Sequence, residues 1–327
     1  YIKGINGFDI EKAYTAMRKN AFIHPTDKEY MDGCGRRALQ SYTEYGYIPL
    51  EDSVKEAFHA CEQVSRTLEY AYDDYVLSTV AERLGKTDDA KDLLSRARNY
   101  LNVISPVSGY AQGRYSDGSF LTDDNSFDFV KFITEGAPCH YTWYVPHDVY
   151  GLMKSMGGKG KFVSKLDSMF TQNRYWHGNE PCHQVAFMFN YAGQPWKTVD
   201  AVRHIMDTEY LDNPGGLSGQ MSSWYMFAAI GFYPVCPGSE YYILSAPTFP
   251  RVEFKLENGK SFVMLAPGVS EKRRYIKSIK YNGQNYPLNY ISHFDIMNGG
   301  VMEFEMTDAR LNEWGTSSED CPPDLMK

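Results

Sequence analysis

SRTLEYAYDDYVLSTVAERLG, residues 65–85, decides how most of this chain folds. Leu68, Tyr72, Tyr75, Val76, Val80 and Leu84 recur every three to four positions, which places them on one face of an α-helix, and Gly85 supplies the stop. Thr87 then reads as the N-cap of a second helix. Asp88 and Asp89 follow where the helix dipole favours acids, and Ala90, Leu93, Leu94 and Ala97 turn inward. Two helices joined by so short a turn make a hairpin.

The same periodicity predicts helices at 146–156, 161–170, 183–191, 197–207 and 220–230, so the chain from Asp9 to about Gly231 is a succession of helices. The glycine-rich, aromatic stretch at 108–119 reads as an ordered functional loop rather than a linker. Helical hairpins with long functional loops point to an (α/α) barrel. Beyond Gly231 the texture changes. Residues 241–244, 252–256, 261–265, 275–281 and 301–306 are short, alternating and β-rich, and Asn258-Gly259 and Asn282-Gly283 punctuate them as turns. The expectation is a mostly α chain, with a helical catalytic region over 1–231 and an antiparallel β-rich region over 232–327.

Composition narrows the function. The 327 residues are 43% hydrophobic and 23% charged, which is globular. With 33 basic against 41 acidic residues the net charge is −8. The longest basic run is Arg273-Arg274, so the electrostatic footprint of a nucleic-acid binder is missing. Aromatic residues make up 15% of the chain; flat rings with polar edges suit sugar faces, although they also fill cores. The six cysteines, Cys34, Cys61, Cys139, Cys182, Cys236 and Cys321, have neither zinc-site spacing nor the density of a disulfide scaffold. No membrane-spanning apolar run occurs. Tyr1-Ile2-Lys3-Gly4 lacks the regions of a signal peptide, while the absence of an initiator Met leaves an upstream signal open.

Three segments carry more polar and aromatic residues than a helix core needs. In the first, Glu135-Gly136-Ala137-Pro138-Cys139-His140-Tyr141-Thr142-Trp143-Tyr144-Val145-Pro146-His147-Asp148, Glu135 precedes aromatics in a loop that can desolvate a carboxyl group and make it a proton donor; it reads equally as a cap or surface acid. His140 and His147 fit structural histidines, and Asp148 a helix cap. In the second, His177-Gly178-Asn179-Glu180-Pro181-Cys182-His183, a carboxylate, an amide and exposed carbonyls are the hard oxygen ligands of calcium. Zinc through His177 and His183 lacks companions at the usual spacing. The third, Asn213-Pro214-Gly215-Gly216-Leu217-Ser218-Gly219-Gln220, is a glycine loop opening a helix. It has none of the residues of a phosphate loop.

Taken with TLEYAYDDY (67–75), NYAGQPWKT (190–198), GQMSSWYMFAAIGFYPV (219–235) and YISHFDIMNGG (290–300), these strings resemble glycoside hydrolase family 92. The resemblance implies an N-terminal β-sandwich followed by an (α/α)6 barrel, and calcium-assisted, inverting, exo-acting hydrolysis of α-mannosides. It places the general acid on Glu135 and calcium on Glu180 with Asn179. It puts His140, Tyr141, Trp143, His177 and Glu180 around the sugar. Inversion also needs a second carboxylate to activate water. Relatives carry that base in an acidic stretch resembling P-G-N-D-D before GQMS, where this chain reads Gly216-Leu217-Ser218-Gly219. Either a base-bearing loop belongs between Leu217 and Ser218, or the base is truly lacking.

The link from Phe170 to Tyr175 is also short for the family, and Cys139 stands where relatives carry Trp. The β-sandwich and the first barrel helices have no counterpart here, so a missing N-terminal domain of the same protein is expected to complete the pocket. The family context implies a secreted, periplasmic or cell-surface location. The rival readings are an inactive mannose-binding protein and an α-glucoside hydrolase or phosphorylase on a related barrel.

Overall fold

The computed structural model describes residues 1–53, 60–123, 125–210, 219–310 and 313–327. The chain divides into two compact units, Tyr1–Phe162 with Met326, and Val163–Leu325 with Lys327.

The first unit is helical: α1 (Ile10–Phe22), α2 (Asp27–Met31), α3 (Leu39–Tyr45), α4 (Gln63–Arg83), α5 (Thr87–Arg96), α6 (Pro138–Tyr141) and α7 (Val149–Ser155). Side chains start several of them. Asp9 accepts from the Lys12 amide at 3.0 Å to cap α1, and Thr26 with Glu29 forms a capping box on α2. The expected hairpin is α4–α5. Gly85 turns left-handed at φ 70° and Lys86 bonds back to the Ala81 carbonyl at 2.9 Å. That turn makes Lys86 the N-cap and Thr87 the first helical residue, one position earlier than the sequence predicted.

Leu77, Val80 and Ala81 of α4 pack with Leu93 of α5 and Tyr14 of α1. Each large apolar side chain so enclosed contributes about 1.5–3 kcal/mol. Asp74 is buried in the same unit and compensated by Arg36 at 2.6 Å, Arg96 at 3.0 Å and the Tyr42 hydroxyl at 3.1 Å. The helix expected at 146–156 begins at Val149, because Asp148 stands outside it as N-cap and accepts from the Gly151 amide at 2.8 Å.

The boundary between units falls within α8 (Lys159–Thr171). In the second unit follow α9 (Pro195–Thr208) and α10 (Gly219–Ile230), then β1 (Phe232–Tyr233), β2 (Tyr241–Leu244), β3 (Arg251–Lys255), β4 (Ser261–Leu265), β5 (Tyr275–Tyr281), β6 (Gln284–Asn285), β7 (Tyr290–Ser292), α11 (His293–Asn298) and β8 (Gly300–Thr307). Helix gives way to strand at Gly231, where φ is 107° and a side chain would meet the Pro247 nitrogen at 2.9 Å. Asn282 and Gly283 take φ 51° and 79°, the left-handed pair of the tight hairpin between β5 and β6 that their sequence predicted.

Two expectations need correction. The β region is mixed rather than antiparallel: the larger sheet runs β3-β4-β8-β5-β6, and β8 pairs parallel to β4, with Val263 opposite Val301. The chain returns through α11, so its last strand slots between β4 and β5. Met302, Phe304 and Met306 of β8 are buried on one face with Phe262, Met264 and Ile279. Residues Val185–Ala192, expected as an α-helix, wind as a 3-10 helix. Asn190, near the end of that segment, sits in a polar network. It donates to the carbonyls of Leu244 at 2.9 Å and Asn289 at 2.8 Å, and accepts from Thr198 at 2.6 Å. NYAGQPWKT thus staples helix to strand.

Candidate functional site

Glu135, His140, Tyr141 and Trp143 belong to the first unit; His177, Asn179 and Glu180 belong to the second.

In the first unit the Glu135 loop is fastened to the start of α4. The Val64 amide donates to the Phe132 carbonyl at 3.1 Å and the Thr134 amide to Ser65 Oγ at 2.8 Å. Glu135 follows with its side chain exposed and its backbone at φ 49°. This left-handed conformation costs a non-glycine residue about 1–2 kcal/mol, and such strain collects at functional positions. Of the two readings of Glu135, desolvated acid and surface acid, its exposure matches the second.

The next residues are interior. His140 Nδ1 accepts from the Ala137 amide at 3.1 Å, so this ring braces the start of α6, and Phe129 stands edge-on to it at 6.0 Å. Trp143 is wholly buried and edge-on to Phe162 at 5.5 Å. A ring with no exposed face supports its neighbours rather than stacking on a sugar. Cys139 is buried, and its amide donates to the Ser126 carbonyl at 2.9 Å. His147 is buried between Tyr72 and Tyr75 and donates from Nε2 to the Ala97 carbonyl at 2.9 Å.

Tyr141 leads to a residue the sequence reading passed over. Its hydroxyl donates to Glu69 Oε1 at 3.4 Å. Burial, with the charges of Asp73 and Glu62 adding, pushes the Glu69 carboxyl up to about 7. A carboxyl group that changes charge at neutral pH is a functional-site signal. Its trace in the sequence is an acid next to Leu68, at the edge of the buried stripe of α4.

In the second unit, hydrogen-bond direction can be followed atom by atom. The Tyr210 hydroxyl donates to the Met221 carbonyl at 2.8 Å, and so accepts from His177 Nε2 at 2.6 Å. His177 Nδ1 is left to accept from the Tyr175 hydroxyl at 2.7 Å. Both ring nitrogens are occupied, and burial next to His183 holds the imidazole neutral, its value lowered to about 3. His183 lies 4.5 Å from His177, ring to ring, and donates from Nε2 to the His177 carbonyl at 3.0 Å. Trp224 Nε1 in turn donates to the His183 carbonyl at 2.8 Å. His177 is thus held at both ring nitrogens, and His183 at Nε2.

Asn179 is buried at the start of the 3-10 turn Glu180–Cys182, and Glu180 is exposed beside it. An amide oxygen and a carboxylate are hard donors, so this pair fits calcium in chemistry. Calcium takes about six to eight oxygens. Among the described residues no three His, Cys, Asp or Glu side chains gather to hold a metal unaided, so the remaining positions would fall to carbonyls, water or sugar hydroxyls.

Residues 213–218, including the Leu217–Ser218 junction where a base loop was expected, lie outside the described residues. The link after α8 is a tight turn: the amides of Arg174 and Tyr175 both reach the Met169 carbonyl at 2.8 Å, Asn173 is left-handed at φ 52°, and Phe170 stacks on Tyr175 at 5.1 Å.

Residues 1–308 match the glycosyl hydrolase family 92 catalytic domain. The chain belongs to glycosyl hydrolase family 92. Among solved structures of family 92, the inverting mannosidase BT2199 of Bacteroides thetaiotaomicron is similar at a TM-score of 0.90 and 33% identity, over 99% of this chain and 47% of that one. The α-mannosidase BT3965 of the same organism is similar at 0.87 and 39% identity, over 98% of this chain and 42% of that one. BT3965 has also been solved with mannoimidazole. A curated relative from Arthroderma benhamiae, an uncharacterized secreted glycosidase, is 29% identical over 358 residues, covering 99% of this chain and 46% of its own length. The chain spans less than half the length of these relatives.

Proposed function

We propose that the full-length protein hydrolyses terminal, non-reducing α-linked mannose with inversion and with calcium bound. Family membership together with the likeness to two family 92 mannosidases carries this reading. In it, the helices form part of an (α/α)6 barrel. Glu135, exposed on a strained loop anchored to α4, protonates the leaving oxygen. A carboxylate on a loop expected between Leu217 and Ser218, carried by no residue of this sequence, deprotonates the attacking water on the opposite face of the ring. Asn179 and Glu180 would hold the calcium, which would supply Lewis-acid polarisation of sugar hydroxyls. His140 and His177 each brace their own unit, and Tyr141 bears on the sugar site through its hydroxyl.

We assign completion of the pocket to parts of the protein outside these residues. Val107, Phe127 and Phe129 are 95%, 43% and 66% exposed, and Phe129 packs on His140 close behind the Glu135 loop. Export is the matching location, as in the fungal relative named as secreted. A second reading, calcium-dependent mannose binding without hydrolysis, is favoured by the absence of an acidic stretch between Gly216 and Gly219. Release of mannose from an α-1,2-linked disaccharide separates the two readings: binding without release selects the second.

A further inference from the structure

Two hydrogen bonds fasten the ends of one short segment to one helix. On α4, Ser65 Oγ accepts from the Thr134 amide at 2.8 Å. One turn further along the same face, Glu69 accepts from the Tyr141 hydroxyl at 3.4 Å. That hydroxyl is also bonded to the Thr134 side chain. Residues four apart lie one above the other on a helix, so Ser65 and Glu69 make a two-point mount for residues 134–141. Glu135 stands inside this segment at φ 49°, a conformation a glutamate keeps only where its surroundings over-determine it.

We propose that Glu69 is a positioning residue for Glu135, fixing through Tyr141 and Thr134 the loop from which Glu135 presents its carboxyl group. The inference rests on Glu135 being the proton donor of the proposed reaction. The groups acting on Glu69 are Asp73 on α4, Glu62 at its N-cap and Tyr141 on α6; Glu62 lies 3.8 Å from Arg66, and Asp73 lies 3.6 Å from Arg36. Burial, with the added negative potential of Asp73 and Glu62, pushes the carboxyl up to about 7. Ionised, it accepts the Tyr141 hydroxyl more strongly, so the mount tightens as pH rises through neutrality.

The test is Glu69→Gln in the full-length protein with calcium. We expect kcat on a poor leaving group to fall about 10- to 100-fold, the scale of a misplaced catalytic group, with KM within about threefold. The rising component of the kcat profile near pH 7 should disappear. Tyr141→Phe should lower kcat in the same way and move that component to higher pH. Unchanged kcat and profile in Glu69→Gln would overturn the inference, as would a loss that keeps the component near 7 and merely follows thermal stability. A double-mutant cycle of Glu69→Gln with Tyr141→Phe, read by denaturant melts, reports the bond without turnover. Strict additivity there overturns the mount, whereas a wild-type protein that releases no mannose overturns the proposed function instead.

Discussion

His177 donates through Nε2 to the hydroxyl of Tyr210, 2.6 Å away, and that hydroxyl donates in turn to the Met221 carbonyl at 2.8 Å. A residue from the HGNEP string is thereby tied to the first turn of α10. Tyr210→Phe removes the middle of this relay and leaves a buried N–H and a carbonyl to find other partners. The loss should be about 1–3 kcal/mol, read as a shift in the urea midpoint with unchanged slope. Wild-type stability in this variant would mean that the relay is replaceable.

Gly151 tests packing beneath the first segment. A Cβ there would lie 2.3 Å from both Asp148 Oδ2 and the Tyr100 hydroxyl, which are bonded to each other at 2.8 Å. In an exposed helix Gly→Ala gains about 0.5–1 kcal/mol. Here overpacking should dominate and Gly151→Ala should lose about 1–3 kcal/mol, so the sign of the change in a denaturant melt decides.

His147 sets an acid limit on the first unit. Burial lowers its value from 6.5 to about 4. Nε2 donates to Ala97, and among the described residues Nδ1 has no partner. Folding favours the neutral ring, so its contribution is fully present above pH 6.5 and is lost as pH falls from there towards 4. The loss should reach about 3 kcal/mol. In His147→Gln, stability measured against pH should be flatter across that window; an unchanged slope would assign the acid sensitivity elsewhere.

Much of the fold was legible in the sequence, because its signals are local. The stripe from Leu68 to Val80 located α4, and the alternation in 261–265 and 275–281 located β4 and β5 with the observed bounds. What was not legible depends on partners distant in the chain. The 3-10 winding of Val185–Ala192 accompanies the bonds of Asn190 to Leu244 and Asn289. The parallel pairing of β8 with β4 follows from the return path through α11.

At the site, the resemblance pointed to strings of sequence and not to the surroundings of each side chain. His177 and Trp143 looked like sugar contacts. Whether a histidine or tryptophan faces a cleft is settled by neighbours such as Tyr175, Tyr210 and Phe162, which no spacing rule identifies. Glu69 was hidden for the same reason: its proton affinity comes from burial and from Asp73 and Glu62.

Glu135→Gln examines the proton donor. Activity on alkyl or sugar leaving groups should fall by about 10²–10⁴-fold, while activated aryl mannosides, which need little protonation, should lose much less. Equal losses on both would remove Glu135 from the role.

Mannose release from an α-1,2-linked mannose disaccharide by the full-length protein, with calcium and again after chelation, tests the central claim most directly. Release as the β-anomer that stops on chelation and returns with calcium is expected. Calcium-dependent binding with no release, or release indifferent to chelation, would contradict it.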